Sequence, residues 1–324
     1  MYRCMSTLAE LRTEGFSPTA RRLLAGGSRK FPHRLTFSRA DVVEFRVQAA
    51  EHMSISGVQD KISLRLVRGQ LLPTERDGEY ILKPVPTADV PRFKEDIPAN
   101  EHLTMQIAEQ VFAIATAVNA VVRFADGELA YITRRFDRRD GVKIGQEDFC
   151  QLSNRTEETA GRNYKYDGTY EEVGRILQRY CKAYRVEVEK LYVRIVFNYV
   201  FSNGDAHLKN FSLFESDFGD YILTPAYDEI CTSLHFPSEG RTALDLFETF
   251  ESESFRQNGF CKRPDFLKLA EMYGLDQSRA ERCLQHFAER EDAVVGLVNR
   301  SFLSDEARSG YLRLYRDRLR AIAD

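Results

Sequence analysis

The sequence predicts an α+β protein in two lobes, a small strand-rich N-lobe over residues 1–138 and a larger helical C-lobe over residues 139–324. Three observations predict it. At 324 residues the chain exceeds the size at which one hydrophobic core usually keeps growing. Between Lys61 and Arg134 apolar residues recur mostly with a period of two, interrupted by glycine-containing turns. Beyond a charged, glycine-containing stretch at 137–145, which reads as the lobe boundary, helical spacing takes over.

Element by element, Ser6–Thr13 reads as a short helix, followed by a basic, turn-rich segment and a helix over Arg39–Ala50 that Ser38 could cap. Ile62, Leu64 and Leu66 alternate along a strand. Arg68-Gly69-Gln70 turns the chain into a second strand at Leu71-Leu72, and Arg76-Asp77-Gly78 turns it into a third, Glu79–Lys83, ended by Pro84 and Pro86. Asn100 reads as the N-cap of a helix from Glu101 to about Phe112, with Leu103, Ile107 and Val111 on one face. Asp126-Gly127 joins the strands Ala120–Phe124 and Glu128–Arg134 as a hairpin. In the C-lobe, Thr169–Arg179 and Val186–Phe201 are helices, the second apolar nearly all round and therefore buried. Phe211–Phe214 and Tyr221–Leu223 make another hairpin. Three or so helices fill residues 264–324, the last basic and amphipathic over Tyr311–Ile322.

The net charge of -3 and a pI near 6.2 give no overall basic field for nucleic acid. Cys4, Cys150, Cys181, Cys231, Cys261 and Cys283 are scattered and form no CxxC, so reduced thiols in a cytoplasmic protein fit better than a disulfide scaffold or a zinc site. Charges run through Met1–Gly15, which is not the pattern of a signal peptide, and no apolar run approaches the length of a membrane span.

The most informative stretch is Asn203-Gly204-Asp205-Ala206-His207-Leu208-Lys209-Asn210, a polar loop directly after the buried helix. An acid five positions before an amide is the spacing of a kinase catalytic loop. There the acid orients or deprotonates the acceptor hydroxyl, and the amide holds a metal on the nucleotide. The pair alone recurs by chance, so its company decides. Ser54-Ile55-Ser56-Gly57-Val58-Gln59-Asp60-Lys61, before a strand, could bring backbone amides to phosphate oxygens, although a plain turn has the same composition. Lys83 ends an apolar strand and must find an anion or reach water. Glu101, 18 residues on, is placed to pair with it as in a kinase nucleotide clamp, a surface lysine beside a helix-start glutamate being the plainer alternative. Two acids compete as the metal-binding carboxylate. Asp217-Phe218-Gly219 spells a familiar kinase tripeptide but falls on the hairpin turn. Asp228, just after the return strand, is brought back beside Asn210 and is preferred. His207 reads equally as a site residue or as a structural histidine holding the loop.

Together with Arg135-Phe136-Asp137-Arg138, Gln146-Glu147-Asp148-Phe149-Cys150-Gln151 and Tyr227-Asp228, these motifs resemble the HipA family of bacterial serine/threonine kinase toxins from about residue 30 onward. The resemblance implies a protein-kinase-like fold with ATP and Mg2+ between the lobes. Carried over by position, Ser56, Gly57, Val58, Gln59, Asp60 and Lys61 would cover the phosphates and Lys83 would contact them. Arg134, Arg135 and Phe136 would form the hinge beside adenine. Asp205 would be the catalytic acid, with His207, Leu208, Lys209, Asn210, Tyr227 and Asp228 lining the nucleotide. Asn210 and Asp228 would hold the metal, and Ser54, Ser56 or both would be autophosphorylated. Full-length HipA proteins carry a preceding N-terminal subdomain that this chain is expected to lack for the most part, which makes it most similar to the short HipT branch. The implied partners are therefore antitoxin components resembling HipB and HipS, and the implied target an aminoacyl-tRNA synthetase. Nucleic acid would be met only through the antitoxin. At the hinge, Arg134 stands where the family pattern has an acid. A catalytically weak binding module in an antitoxin–operator complex and a small-molecule or lipid kinase are the competing readings.

Overall fold

The structure, a computed structural model, describes residues 1–28, 30–42, 61–139 and 142–323. The strands β3 (Ile62–Val67), β4 (Gln70–Pro73), β5 (Tyr80–Lys83), β6 (Asn119–Arg123) and β7 (Leu129–Arg134) form one antiparallel sheet in the order β4-β3-β5-β7-β6. Alternation along these strands gives each face its own cover. Leu82 faces Ile132 in register, and both join Phe16, Ala20, Leu24 and Phe31 of the N-terminal segment in one apolar core. Lys83 faces Tyr131, so this pair points to the opposite face.

The N-terminal segment departs from the sequence reading. Ser6–Thr13 is not a helix: β1 (Tyr2–Arg3) and β2 (Glu10–Leu11) pair antiparallel. Leu8 between them has a left-handed φ of 61°, which an α-helix cannot contain. The Met5 carbonyl accepts from the Val121 N–H, which docks this hairpin on β6. The helix of this region is Pro18–Leu24, where Ser17 caps and Pro18 occupies the first turn. Residues 39–42 are helical, as read; the remainder of the helix read to Ala50 lies outside the described residues.

The helix Ile97–Gln110 spans the two parts of the molecule. It begins earlier than the sequence reading places it, because Pro98 suits a first turn better than Asn100 suits a cap. Asn100 is instead fully buried within the helix. It donates to the Cys231 carbonyl at 2.9 Å and accepts from the Cys231 N–H at 3.2 Å. Ala99, Leu103 and Ile107 enter the large core built around the central helix Tyr184–Val200.

The C-terminal part is helical apart from a two-stranded hairpin, β8 (Arg138–Arg139) with β9 (Val142–Lys143), and a three-stranded sheet of β10 (Gln146–Asp148), β11 (Ser212–Glu215) and β12 (Tyr221–Leu223). The helix read over Thr169–Arg179 is found at Tyr170–Tyr180, with Thr169 as its N-cap. Four helices rather than three close the chain: Arg263–Met272, Gln277–Ala288, Glu291–Arg300 and Asp305–Ala323. The tip between β11 and β12 carries Asp217-Phe218-Gly219, with Phe218 almost fully exposed.

Gly174 lets the helix Tyr170–Tyr180 approach Tyr273, since a Cβ there would lie 2.2 Å from the tyrosine ring. Gly174→Ala is therefore expected to lower stability by about 1–3 kcal/mol through overpacking, despite the better helix propensity of alanine. Urea denaturation of parent and variant checks this; an unchanged midpoint would contradict it.

Candidate active site

Lys83 leaves the end of β5 with its ammonium between two carboxylates. Glu101 Oε1, from the spanning helix, accepts from Lys83 Nζ at 2.5 Å, and Asp228 Oδ1 accepts from the same nitrogen. The lysine and glutamate side chains are only 4% and 1% exposed. The ammonium also lies 5.4 Å from the Tyr131 ring centre. Burial alone would lower the Lys83 pKa, but Asp228 and Glu101 outweigh it and hold the ammonium charged, well above the usual lysine value. Asp228 opposes burial in the same way. Lys83, with Lys61 Nζ at 3.3 Å from Oδ2, holds its carboxyl below the ordinary aspartate range. Glu101 goes the other way, because burial lifts it to about 7 although Lys83 pulls it down.

The backbone places Asp228 as firmly as its charge does. The Ala226 N–H donates to the Ala115 carbonyl at 2.7 Å and the Ala117 N–H to the Ala226 carbonyl at 2.9 Å, which ties the loop to the strap after the spanning helix. Asp228 itself has φ of 58°, a left-handed conformation that aspartate tolerates better than most residues and that concentrates at functional sites.

Asn210 ends a 3-10 turn over Leu208–Asn210. Its Oδ1 is buried and has no hydrogen-bond partner among the described residues, a group that costs free energy unless something satisfies it. Residues on both sides of Asp228 are tied to this turn. The Tyr227 hydroxyl donates to the Lys209 carbonyl at 2.8 Å. Arg194 donates from Nη2 to the Asn210 carbonyl at 2.8 Å and from Nε to Glu229 Oε1 at 2.9 Å. Arg194 and Glu229 are both nearly fully buried, and the guanidinium lies 5.2 Å from the Phe211 ring and 5.5 Å from that of Tyr227. The sequence reading passed over Arg194. Its signal is a lone arginine inside the apolar run of the central helix, where only a buried anion makes it affordable. Among the described residues no group of three or more His, Cys, Asp and Glu stands ready as a metal site. Asp228 and Asn210 are the residues here that could hold a magnesium ion, since one carboxylate and one amide oxygen, completed by phosphate oxygens and water, is its usual way of binding.

Asp205 stands at the mouth of the site with its side chain 45% exposed, and the Tyr166 hydroxyl donates to its Oδ1. His207 is buried, and burial lowers its pKa to about 4, so the ring is neutral at pH 7. Leu208 is in the core, which leaves only its backbone to line anything. Lys209 is exposed and reaches the Tyr164 hydroxyl at 3.3 Å. At the hinge the Phe136 ring lies 5.7 Å from Tyr227, beside a small apolar cluster of Met105, Ala117 and Tyr131. The Arg134 and Arg135 N–H groups are already donated to the Val118 and Glu79 carbonyls. The Arg134 guanidinium turns away to the Leu23 carbonyl at 3.3 Å, which answers the substitution at this position: it packs on the N-terminal segment. Gln146–Gln151 proves to be local architecture. Asp148 accepts from the Gln151 N–H and Gln151 accepts from the Asp148 N–H, a capping box that holds β10 against β11. Ser54, Ser56, Gly57, Val58, Gln59 and Asp60 lie outside the described residues.

The fold is shared with solved kinase-like structures. HipA of Shewanella oneidensis MR-1, from a complex with HipB and operator DNA, superposes with a TM-score of 0.63 at 22% identity over 87% of this chain and 69% of that one. The Helicobacter pylori proinflammatory kinase CtkA does so with a TM-score of 0.54 at 13% identity over 81% of this chain and 90% of that one. The class is thus a two-lobed, kinase-like fold. The HipA-like C-terminal domain matches residues 53–295, so the chain belongs to that family. A Haemophilus influenzae protein named "Putative kinase" is 26% identical over 308 residues, 90% of this chain and 88% of its own length. The Sinorhizobium fredii protein named "Putative kinase Y4mE" is 34% identical over 228 residues, 64% of this chain but 52% of its own. Among the described residues no helix is long and apolar enough to cross a membrane.

Two outcomes are expected from this geometry. Arg194→Met leaves Glu229 buried without its cation and should cost about 3–5 kcal/mol, and adding Glu229→Gln should recover part of that loss. Urea denaturation of the four proteins in the cycle measures it; additive losses would contradict the pairing. For Glu101, with a pKa of about 7 against 4.5 for a free glutamate, the folded chain binds a proton between those values that the unfolded chain lacks. The contribution is complete below pH 4.5 and is lost as the pH rises through 7. Glu101→Gln should flatten stability over that window, as urea midpoints taken across it would report.

Proposed function

We propose that this chain is an ATP- and magnesium-dependent serine/threonine protein kinase that acts as the toxin of a toxin–antitoxin system. The observation that carries the reading is the buried Lys83 ammonium shared by Glu101 and Asp228, beside a loop whose Asn210 oxygen lacks a partner among the described residues. In this reading Lys83 contacts the nucleotide phosphates and Ser56–Lys61 covers them. Phe136, Tyr227 and the hinge carbonyls receive the base. Asn210 and Asp228 would hold magnesium, which when bound would neutralise charge on the phosphates.

The acceptor hydroxyl approaches Asp205. Its oxygen forms a bond to the γ-phosphorus, the bond from that phosphorus to the bridging oxygen breaks with its electron pair on ADP, and the proton passes to Asp205. Ser54 and Ser56 are the proposed autophosphorylation sites, where about -1.5 to -2 of added charge would repel ATP phosphates. The toxin role rests on the family and on HipA as structural neighbour. By the same analogy the partners are antitoxin components resembling HipB and HipS, and the target class is an aminoacyl-tRNA synthetase.

Asp205→Ala is expected to retain ATP–Mg2+ binding but to lower transfer of labelled phosphate from ATP to protein by roughly 10²–10⁴. Labelling equal to the parent would overturn the assignment of Asp205. Labelling of a metabolite or lipid instead of a protein would overturn the substrate class.

A further inference from the structure

We propose that the turn Tyr164–Tyr166 completes the catalytic loop, with Lys165 the cation that meets the transferring phosphoryl group and Tyr166 a placeholder for the acceptor hydroxyl. The inference rests on the kinase reading and adds residues from another part of the chain to its site.

Phosphoryl transfer spreads negative charge over the equatorial oxygens of the moving group, and a cation beside the acceptor stabilises it. Lys83 and Lys61 gather at Asp228, not at Asp205. Within the loop Asp205–Asn210, Lys209 reaches out to the Tyr164 hydroxyl, and the His207 ring, with Nε2 also 3.8 Å from Asp205 Oδ1, is buried against the Tyr166 ring. Lys165 Nζ is 3.8 Å from Asp205 Oδ1, with about a third of its side chain exposed. A pair this long and this open contributes little to stability, so the ammonium is available to a stronger anion arriving beside Asp205.

The turn that carries Lys165 is held against the catalytic loop at several points. The Lys209 ammonium donates to the Tyr164 hydroxyl, and the Tyr166 ring packs edge-on against His207 at 5.2 Å between centres. A Cβ at Gly168 would lie 3.1 Å from the Leu208 side chain, so the backbone after the turn packs closely against the loop. Arg155 fastens the flank, with Asp167 at 3.6 Å and Glu172 at 2.8 Å. The Tyr166 hydroxyl, by donating to Asp205, makes the hydrogen bond that an acceptor hydroxyl must make. An incoming acceptor therefore displaces the tyrosine hydroxyl and finds Lys165 already in place.

The test uses the full chain with Mg2+ and compares binding of ADP alone with ADP plus aluminium fluoride, which mimics the moving phosphoryl group, by calorimetry. Lys165→Ala should leave ADP affinity and the melting temperature unchanged, weaken the fluoride complex roughly 10²-fold and lower kcat for transfer by about 10²–10³. Lys165→Arg should recover part of both losses. Tyr166→Phe keeps the ring on His207 and should lower KM for the protein acceptor. Fluoride-complex affinity and kcat equal to the parent in Lys165→Ala would overturn the inference while leaving the kinase reading intact. So would losses confined to ADP affinity or thermal stability that arginine does not restore. A parent that binds neither complex would overturn the kinase reading itself, and the inference with it.

Discussion

One buried ammonium sets the terms for the rest of this structure. Lys83 is almost wholly removed from water, and a charge in that position is tolerable only when anions surround it closely. Its two anions come from elements far apart in the chain, Glu101 on the spanning helix and Asp228 on a loop of the helical part. The sheet, the helix and the loop must therefore dock together. The docking is reinforced by neutral bonds of the same elements: Asn100 to both backbone groups of Cys231, and Ala226 to the 115–117 strap.

A second buried cation organises the floor below. Arg194 joins the Asn210 carbonyl to the Glu229 carboxylate, so the loops that bear the unpartnered amide and the lysine-bound carboxylate cannot shift independently. Polar networks of this kind constrain geometry as long as each member is satisfied. Among the described residues the buried Asn210 Oδ1 is one of the few side-chain atoms left without a partner, and it is the one that this network carries next to the Asp228 loop.

Much of this was legible in the residues. Strand positions from Ile62 to Arg134 showed because a sheet buried differently on its two faces imposes a period of two on the sequence. That Asp217-Phe218-Gly219 falls on a hairpin tip was legible from turn chemistry, and Phe218 there is turned to solvent. What misled was local chemistry overridden at a distance. Ser6–Thr13 read as a short helix where Met5 docks a hairpin on β6, and Asn100, a good cap by type, is claimed by Cys231. Arg194 shows in the sequence only as a lone arginine in an apolar run, and Lys165 and Tyr166 were not legible at all. Nothing in an arginine, a lysine or a tyrosine announces which distant carboxylate it will meet.

Periodicity and short-range spacing alone carried the strands between Ile62 and Arg134, the buried helix with the polar loop after it, and the residue types on which phosphoryl chemistry could rest. Tertiary structure alone decided which of those residues share a charge, which atoms are left without partners and which turn leans over Asp205. Those outcomes depend on contacts between segments 18 to 145 positions apart, where burial and Coulomb attraction act on distance in space and take no account of distance along the chain.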